Sequence, residues 1–304
     1  MTFSITADAV GVGEWTEFAR QCERDGFDVL MVPDHPASFA APFVALAAAA
    51  AVTERIRLGT NVVNAGMWEP LLLASEVATL DVLSSGRALF GIGAGHNPAE
   101  WLTQGRAYPS AADRVARMIE LTEVTRRLLA GETVTFDGTH VQVRDAVLPR
   151  PRPVQDPIPL LVGGSGTRVL RYAAATADTV GFSGLGRTLA DGRSHETRWR
   201  RDQIDAQVEL VRSAAADRDP AMEVLVQHVE ITDDAEAAAD RLRADITDAS
   251  VEDLLAAPYV LIGTVEDLVA EVRDHEKRWG FTRYVVRGPV REQAAALLAA
   301  LRSQ

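Results

Sequence analysis

Along most of the chain, short apolar and β-branched runs alternate with stretches whose apolar positions recur every three or four residues. The short runs predict strands at 2–6, 28–32, 56–63, 87–92, 159–162, 178–182, 223–231 and 283–287. The helical periodicity predicts helices over 14–25, 42–52, 69–83, 111–130, 165–176, 198–216, 264–279 and 290–302. A strand followed by a helix, repeated eight times, is the pattern of an α/β (β/α)8 barrel, although a doubly wound open sheet shares the alternation. One excursion, 132–157, breaks the rhythm. Its "ETVTFDGTHVQV" reads as a hairpin turning at Asp137-Gly138, and the proline-rich "PRPRPVQDPIP" then leads back to the fifth strand. Because the alternation resumes at once, residues 1–304 read as a single domain with a surface insertion.

Composition narrows the class. The 304 residues are 47% hydrophobic and 24% charged, a globular composition, and the net charge of −12 argues against nucleic acid or an anionic membrane as partner. Cys22 is the only cysteine, so no intrachain disulfide forms, and its helical spacing with Trp15, Phe18 and Ala19 makes it a small core residue. "MTFSITADAV" lacks the basic and apolar segments of a secretory signal, and "FVALAAAAAV" is too short to span a bilayer. A cytoplasmic protein is expected.

The candidate chemistry lies where strands end. "VPDHP" closes the second strand with Asp34 and His35 between two prolines, which fix the chain as it leaves the core. "LGTNVV" leads the third strand into Asn64-Ala65-Gly66-Met67-Trp68, and "GIGAGHNPAEW" follows the fourth. "VGGSGTRVL" after the fifth has the strand, glycine loop and helix start that suit a phosphate, or simply a tight turn. Small and polar groups at four successive strand ends suggest a ligand lying across one face. "GIGAGH" matches only part of a dinucleotide fingerprint, because His96 replaces its last glycine. No G-x-S-x-G elbow is present, and the six histidines lack metal-ligand spacing, so no metal is expected.

Taken in order, "GFDVLMVPDH", "RIRLGTNVV", "LDVLSSGRALFGIGAG", the "FDG" hairpin with its proline-rich return, "PIPLLVGGSG" and "VLIGTVEDLVAEV" resemble the luciferase-like monooxygenase superfamily. The match is to its actinobacterial branch using the deazaflavin coenzyme F420. The resemblance covers nearly the whole chain and implies a luciferase-like (β/α)8 TIM barrel with insertions, transferring a hydride between F420 and a small organic substrate. It places Asp34 beside the deazaflavin ring and His35 next to the transferred hydride. It also implies a cis peptide at Asn61–Val62 supporting the ring. Gly93, Ala94 and Gly95 would pass along the ring, and Gly163, Gly164, Ser165 and Gly166 would hold the phosphate. Sugar-phosphate dehydrogenases of this branch carry a catalytic glutamate just after the fourth-strand glycines. This chain has His96 there, which makes His96 a second candidate acid/base and puts a sugar-phosphate substrate in doubt. Trp68, Trp101 and Phe182 are candidate pocket walls.

Five arginines, Arg187, Arg193, Arg198, Arg200 and Arg201, crowd one stretch of an otherwise acidic chain. Arg193, Arg198 and Arg200 are expected to meet the acidic tail that distinguishes F420 from FMN, or else to pair with Asp191, Glu196 and Asp202 on the surface. Two alternatives stand beside the deazaflavin enzyme: an FMN-dependent monooxygenase of the same fold, and a cofactor-binding barrel without turnover. The family often dimerises, so a homodimer is one expected assembly.

Overall fold

The computed structural model describes residues 1–9, 11–36, 38–189, 195–244, 246 and 249–303. The amino-terminal elements are β1 (Thr2–Thr6), α1 (Val12–Asp25), β2 (Val29–Val32), α2 (Pro42–Ala50), β3 (Arg57–Thr60), β4 (Val63–Asn64), α3 (Pro70–Leu83) and β5 (Ala88–Gly93). Next come α4 (Pro98–Leu102), α5 (Ala111–Leu129), β6 (Val134–Asp137), β7 (Gln142–Ala146), β8 (Leu160–Gly163), α6 (Thr167–Thr176) and β9 (Thr179–Phe182). They are followed by β10 (Leu185–Thr188), β11 (His195–Thr197), α7 (Arg201–Ala215), β12 (Ala221–Leu225), β13 (His228–Ile231) and α8 (Ala235–Arg243). The chain closes with α9 (Val251–Ala256), β14 (Val260–Gly263), α10 (Val265–Trp279), β15 (Phe281–Arg287) and α11 (Arg291–Arg302). None of the helices searched is long and apolar enough to cross a membrane.

The residues group into two compact units, Asp8–Glu23 with Val29–Gly163, and Met1–Ala7 with Arg24–Asp28 and Gly164–Gln304. In the first, β2, β3, β5 and β8 pair in parallel in that order, with Leu30 opposite Leu58, Leu58 opposite Ala88 and Phe90 opposite Leu160. Every residue of β2 and β5 is buried, as expected of parallel strands covered on both faces. Because the strands are parallel, Val32, Thr60, Gly93 and Gly163 all end on one side of this sheet.

The excursion forms as expected. β6 and β7 pair antiparallel, with Phe136 opposite Val143, and Gly138 N donates to Val141 O at 3.0 Å. Its proline-rich return is tied down by Asp81, a fully buried carboxylate accepting from Val154 N, Gln155 N and Gln155 Nε2 at 2.6–2.9 Å.

In the second unit the parallel order is β1, β15, β12, β9, with Thr6 opposite Arg287, Leu225 opposite Val285 and Glu223 opposite Gly181. Here the structure corrects the expected run 223–231. β12 stops at Leu225, and β13 leaves to pair in parallel with β14, His228 facing Val260. The break is made by the backbone N–H groups of Gln227 and His228, which both donate to Tyr259 O, at 2.7 and 3.3 Å. The run 56–63 likewise divides into β3 and β4, with a cis peptide at Asn61–Val62 between them. The elements α4, α8, α9 and β14 and the antiparallel pair β10 and β11 add to the expected set.

Candidate active site

The site in the first unit grows from three strand ends. Pro33 ends β2 and sets Asp34, 5% exposed, under the β4 backbone. Its Oδ2 accepts from Asn64 N at 3.0 Å and from Trp68 Nε1 at 2.8 Å. Burial raises the Asp34 carboxyl above the usual carboxylate range, and these two donors oppose the rise. Trp68 is thereby held edge-on to Phe43, their ring centroids 5.3 Å apart.

Asn64 links the next layer. Its Oδ1 accepts from Gly66 N at 2.9 Å and starts the short 3-10 turn Ala65–Met67, while its Nδ2 donates to Glu100 Oε2 in a short hydrogen bond. Glu100 is 3% exposed and sits in the first turn of α4, which Asn97 caps through Ala99 N. Its other oxygen, Oε1, lies 2.6 Å from His35 Nδ1. A carboxylate can only accept, so the imidazole donates from Nδ1 and presents Nε2 as its available nitrogen. The His35 side chain is 29% exposed, open enough to meet a substrate. His96 stands edge-on to it with ring centroids 5.3 Å apart, and Phe39 flanks it at 5.6 Å.

Close approach explains two glycines. Gly95 has φ +73°, and a Cβ there would overlap Asn64 Oδ1. A Cβ at Gly66 would overlap the Trp101 ring. The Gly95 carbonyl also accepts from Arg114 Nε at 3.0 Å, and the His96 carbonyl accepts from Tyr108 Oη at 2.8 Å, which fixes the loop between β5 and α4.

The structure thus brings Asp34, His35 and His96 together around Asn64 and Glu100. Asn61 N donates to Val32 O at 3.0 Å, keeping the cis step beside the end of β2. Val62 packs against the glycines that end β5 and β8, where a Cβ at Gly93 would come within 2.6 Å of its Cγ2 and one at Gly163 within 3.1 Å of its Cγ1. Ala94 is half-buried between Gly93 and Gly95.

In the second unit, Gly164 N donates to Gly181 O at 3.0 Å, Ser165 O accepts from Gln207 Nε2 at 3.0 Å, and exposed Gly166 caps α6. Arg193 lies outside the described residues. Arg198 is half-buried, with its backbone N–H on Gly184 O at 2.8 Å. Arg200 pairs with Asp202 at 3.1 Å and Arg187 with Glu196 at 3.0 Å. Trp101 and Phe182 are each 1% exposed, so both belong to the core rather than to a pocket wall.

Glu100 was not among the residues the sequence singled out, and Asn64 stood there only as part of the third strand's end, with no role of its own. Glu100 follows His96 by four residues, and the helix start at Asn97-Pro98 was the available signal that it would turn back toward the β5 loop.

The luciferase-like monooxygenase family model matches residues 4–283. An F420-dependent glucose-6-phosphate dehydrogenase of Intrasporangium calvum is 31% identical over 97% of this chain and 94% of its own length. Among solved structures, the F420-dependent tetrahydromethanopterin reductase of Methanopyrus kandleri superposes with a TM-score of 0.77 at 20% identity, covering 98% of this chain and 96% of that one. An F420-dependent secondary alcohol dehydrogenase in complex with an F420–acetone adduct also gives 0.77, at 18% identity, covering 99% and 97%. These likenesses show the (β/α)8 fold that the strand and helix alternation predicted.

Proposed function

The chain belongs to the luciferase-like monooxygenase family, and from that premise we propose that it is an F420-dependent oxidoreductase acting on a small organic substrate. The observation that carries this reading is the His35–Glu100–Asn64 network beside buried Asp34. The residues present fit a deazaflavin. Gly93, Ala94, Gly95 and Gly163 keep strand ends of the first unit free of bulky side chains, and the backbone of Gly164, Ser165 and Gly166 at the start of α6 suits a phosphate. When bound, F420 supplies a ring that accepts or donates a hydride.

The chain's own groups manage the proton. His35 Nε2 takes the proton from a substrate hydroxyl, or returns it to a carbonyl, while Glu100 holds Nδ1–H and favours the imidazolium that forms. His96, edge-on to His35, is a second acid/base or substrate contact. Asp34 orients the ring side of the site through Asn64 and Trp68. Arg193, Arg198 and Arg200 meet the acidic tail of the coenzyme. Arg200 pairs with Asp202 at the surface, a weak contact that a polyanion can replace.

Turnover tests the assignment. Purified chain with F420 is offered glucose 6-phosphate and a secondary alcohol, and bleaching of deazaflavin absorbance is followed. His35→Ala should cut turnover strongly and leave F420 affinity within a small factor, whereas Asp34→Ala should weaken F420 binding as well. Normal turnover by His35→Ala would move the acid/base role to His96.

A further inference from the structure

β15 carries Arg283 and Arg287, four residues apart and therefore on one face of the strand. They are satisfied differently. Arg283 lies opposite Glu223 in register, and its charge counters the burial that pushes the Glu223 carboxyl up to about 7. Arg287 stands at the carboxyl end of the strand, and among the described residues no carboxylate pairs with it. Its Nη2 donates to the neutral Oε1 of Gln227 at 2.6 Å. Gln227 is itself fixed, its Nε2 on Ser183 O at 2.9 Å and its backbone N–H on Tyr259 O at 2.7 Å.

Arg287 is an exposed residue, and partial desolvation of its guanidinium lowers its pKa with no acidic neighbour acting against it. Two other guanidinium groups with the same burial effect are already engaged. Arg87 donates to the carbonyls of Ser84, Ile56, Ala50 and Thr53, and Arg114 donates to those of Gly95 and Pro109.

Thr6 lies beside Arg287 in register and is 9% exposed, yet its hydroxyl has no hydrogen-bond partner among the described residues. The same holds for Ser4, fully buried on the same face of β1. The Thr6 hydroxyl is a buried group left unpaired, which is costly, and it lies beside an exposed guanidinium that no carboxylate neutralises among the described residues; a bound anion would engage both. We infer that Arg287, Gln227 and Thr6 form a subsite for an oxyanion, a carboxylate or a phosphate, carried by the substrate. The guanidinium provides paired N–H donors, Gln227 holds its plane, and the Thr6 hydroxyl donates to the same group. The link to substrate rests on the proposed oxidoreductase function; the binding of an oxyanion does not.

The test is thermal unfolding of the full chain in rising sodium phosphate or sodium acetate, with chloride holding ionic strength constant. A saturable rise in midpoint is expected in at least one series, because a ligand that binds only the folded state stabilises it. A response to acetate alone assigns the subsite to a carboxylate, and a response to phosphate alone assigns it to a phosphate. Arg287→Ala should weaken the apparent affinity at least about tenfold, the loss of a charge-assisted contact. Gln227→Ala, a second variant should Arg287→Ala not fold, should weaken it several-fold. No saturable rise in the wild-type chain, or an equal rise in the folded variants, would overturn the assignment. Failure to bind F420 alongside an intact, Arg287-dependent anion response would sink the functional reading and leave the subsite standing.

Discussion

Replacing Glu100 by alanine removes the group on which the site converges. Its two oxygens accept from His35 Nδ1 at 2.6 Å and from Asn64 Nδ2, and the residue is 3% exposed. Two hydrogen bonds to a charged group contribute roughly 1.5–3 kcal/mol each, and removing the carboxylate also ends its own desolvation cost. A buried Asn64 donor is left unpaired as well, so the net loss should be about 2–4 kcal/mol. At about 2 °C per kcal/mol for a chain of this size, the unfolding midpoint should fall by roughly 4–8 °C. Glu100→Gln keeps the volume but offers one acceptor oxygen to two donors, so its loss should be smaller, about 1–2 kcal/mol. Thermal unfolding of the three proteins gives the energies. Nitrogen NMR of the His35 ring reports whether the Nδ1–H tautomer is lost in both variants. If Glu100→Ala unfolds with the wild-type midpoint and His35 keeps its tautomer, the network does not hold the imidazole.

Gly66→Ala should destabilise by about 1–3 kcal/mol through overpacking against Trp101, and an unchanged denaturant midpoint would refute that packing. Burial lowers the His275 pKa to about 4, so between pH 6.5 and 4 the unfolded chain binds the extra proton. Stability present above pH 6.5 is therefore lost as the pH falls, by about 3 kcal/mol, a slope that His275→Gln should abolish in pH-dependent denaturation. Glu271 acts with the opposite sign: burial raises it to about 8, so stability present below pH 4.5 is lost as the pH rises through 8, and Glu271→Gln should remove that decline. Joint replacement of Arg193, Arg198 and Arg200 by alanine should weaken binding of long-tailed F420 more than of a tail-less deazaflavin, and equal losses would leave the three as surface charge.

The strand ends carrying Asp34, His35, Asn61 and the glycines were legible because buried parallel strands read as continuous apolar runs, and prolines and glycines mark where they stop. Glu100 was not legible as a partner of His35. Sixty-five residues separate them, and only the fold brings the first turn of α4 back beneath the end of β2. The division of 223–231 was hidden for a related reason. Its apolar run is continuous, and the break comes from Tyr259, whose carbonyl takes the N–H groups of Gln227 and His228 from a distant segment. α8 and α9 escaped notice because their buried positions are few, Ala238 and Ala239 in one and Leu254 in the other, too sparse to set a helical period.

The most direct test of the central claim is equilibrium binding of F420 and FMN to the purified chain, side by side, with air reoxidation of each reduced complex followed by absorbance. The account predicts saturable binding of F420, weaker binding of FMN, and a reduced F420 complex that persists in air. Tighter binding of FMN, with rapid reoxidation by oxygen, would contradict it.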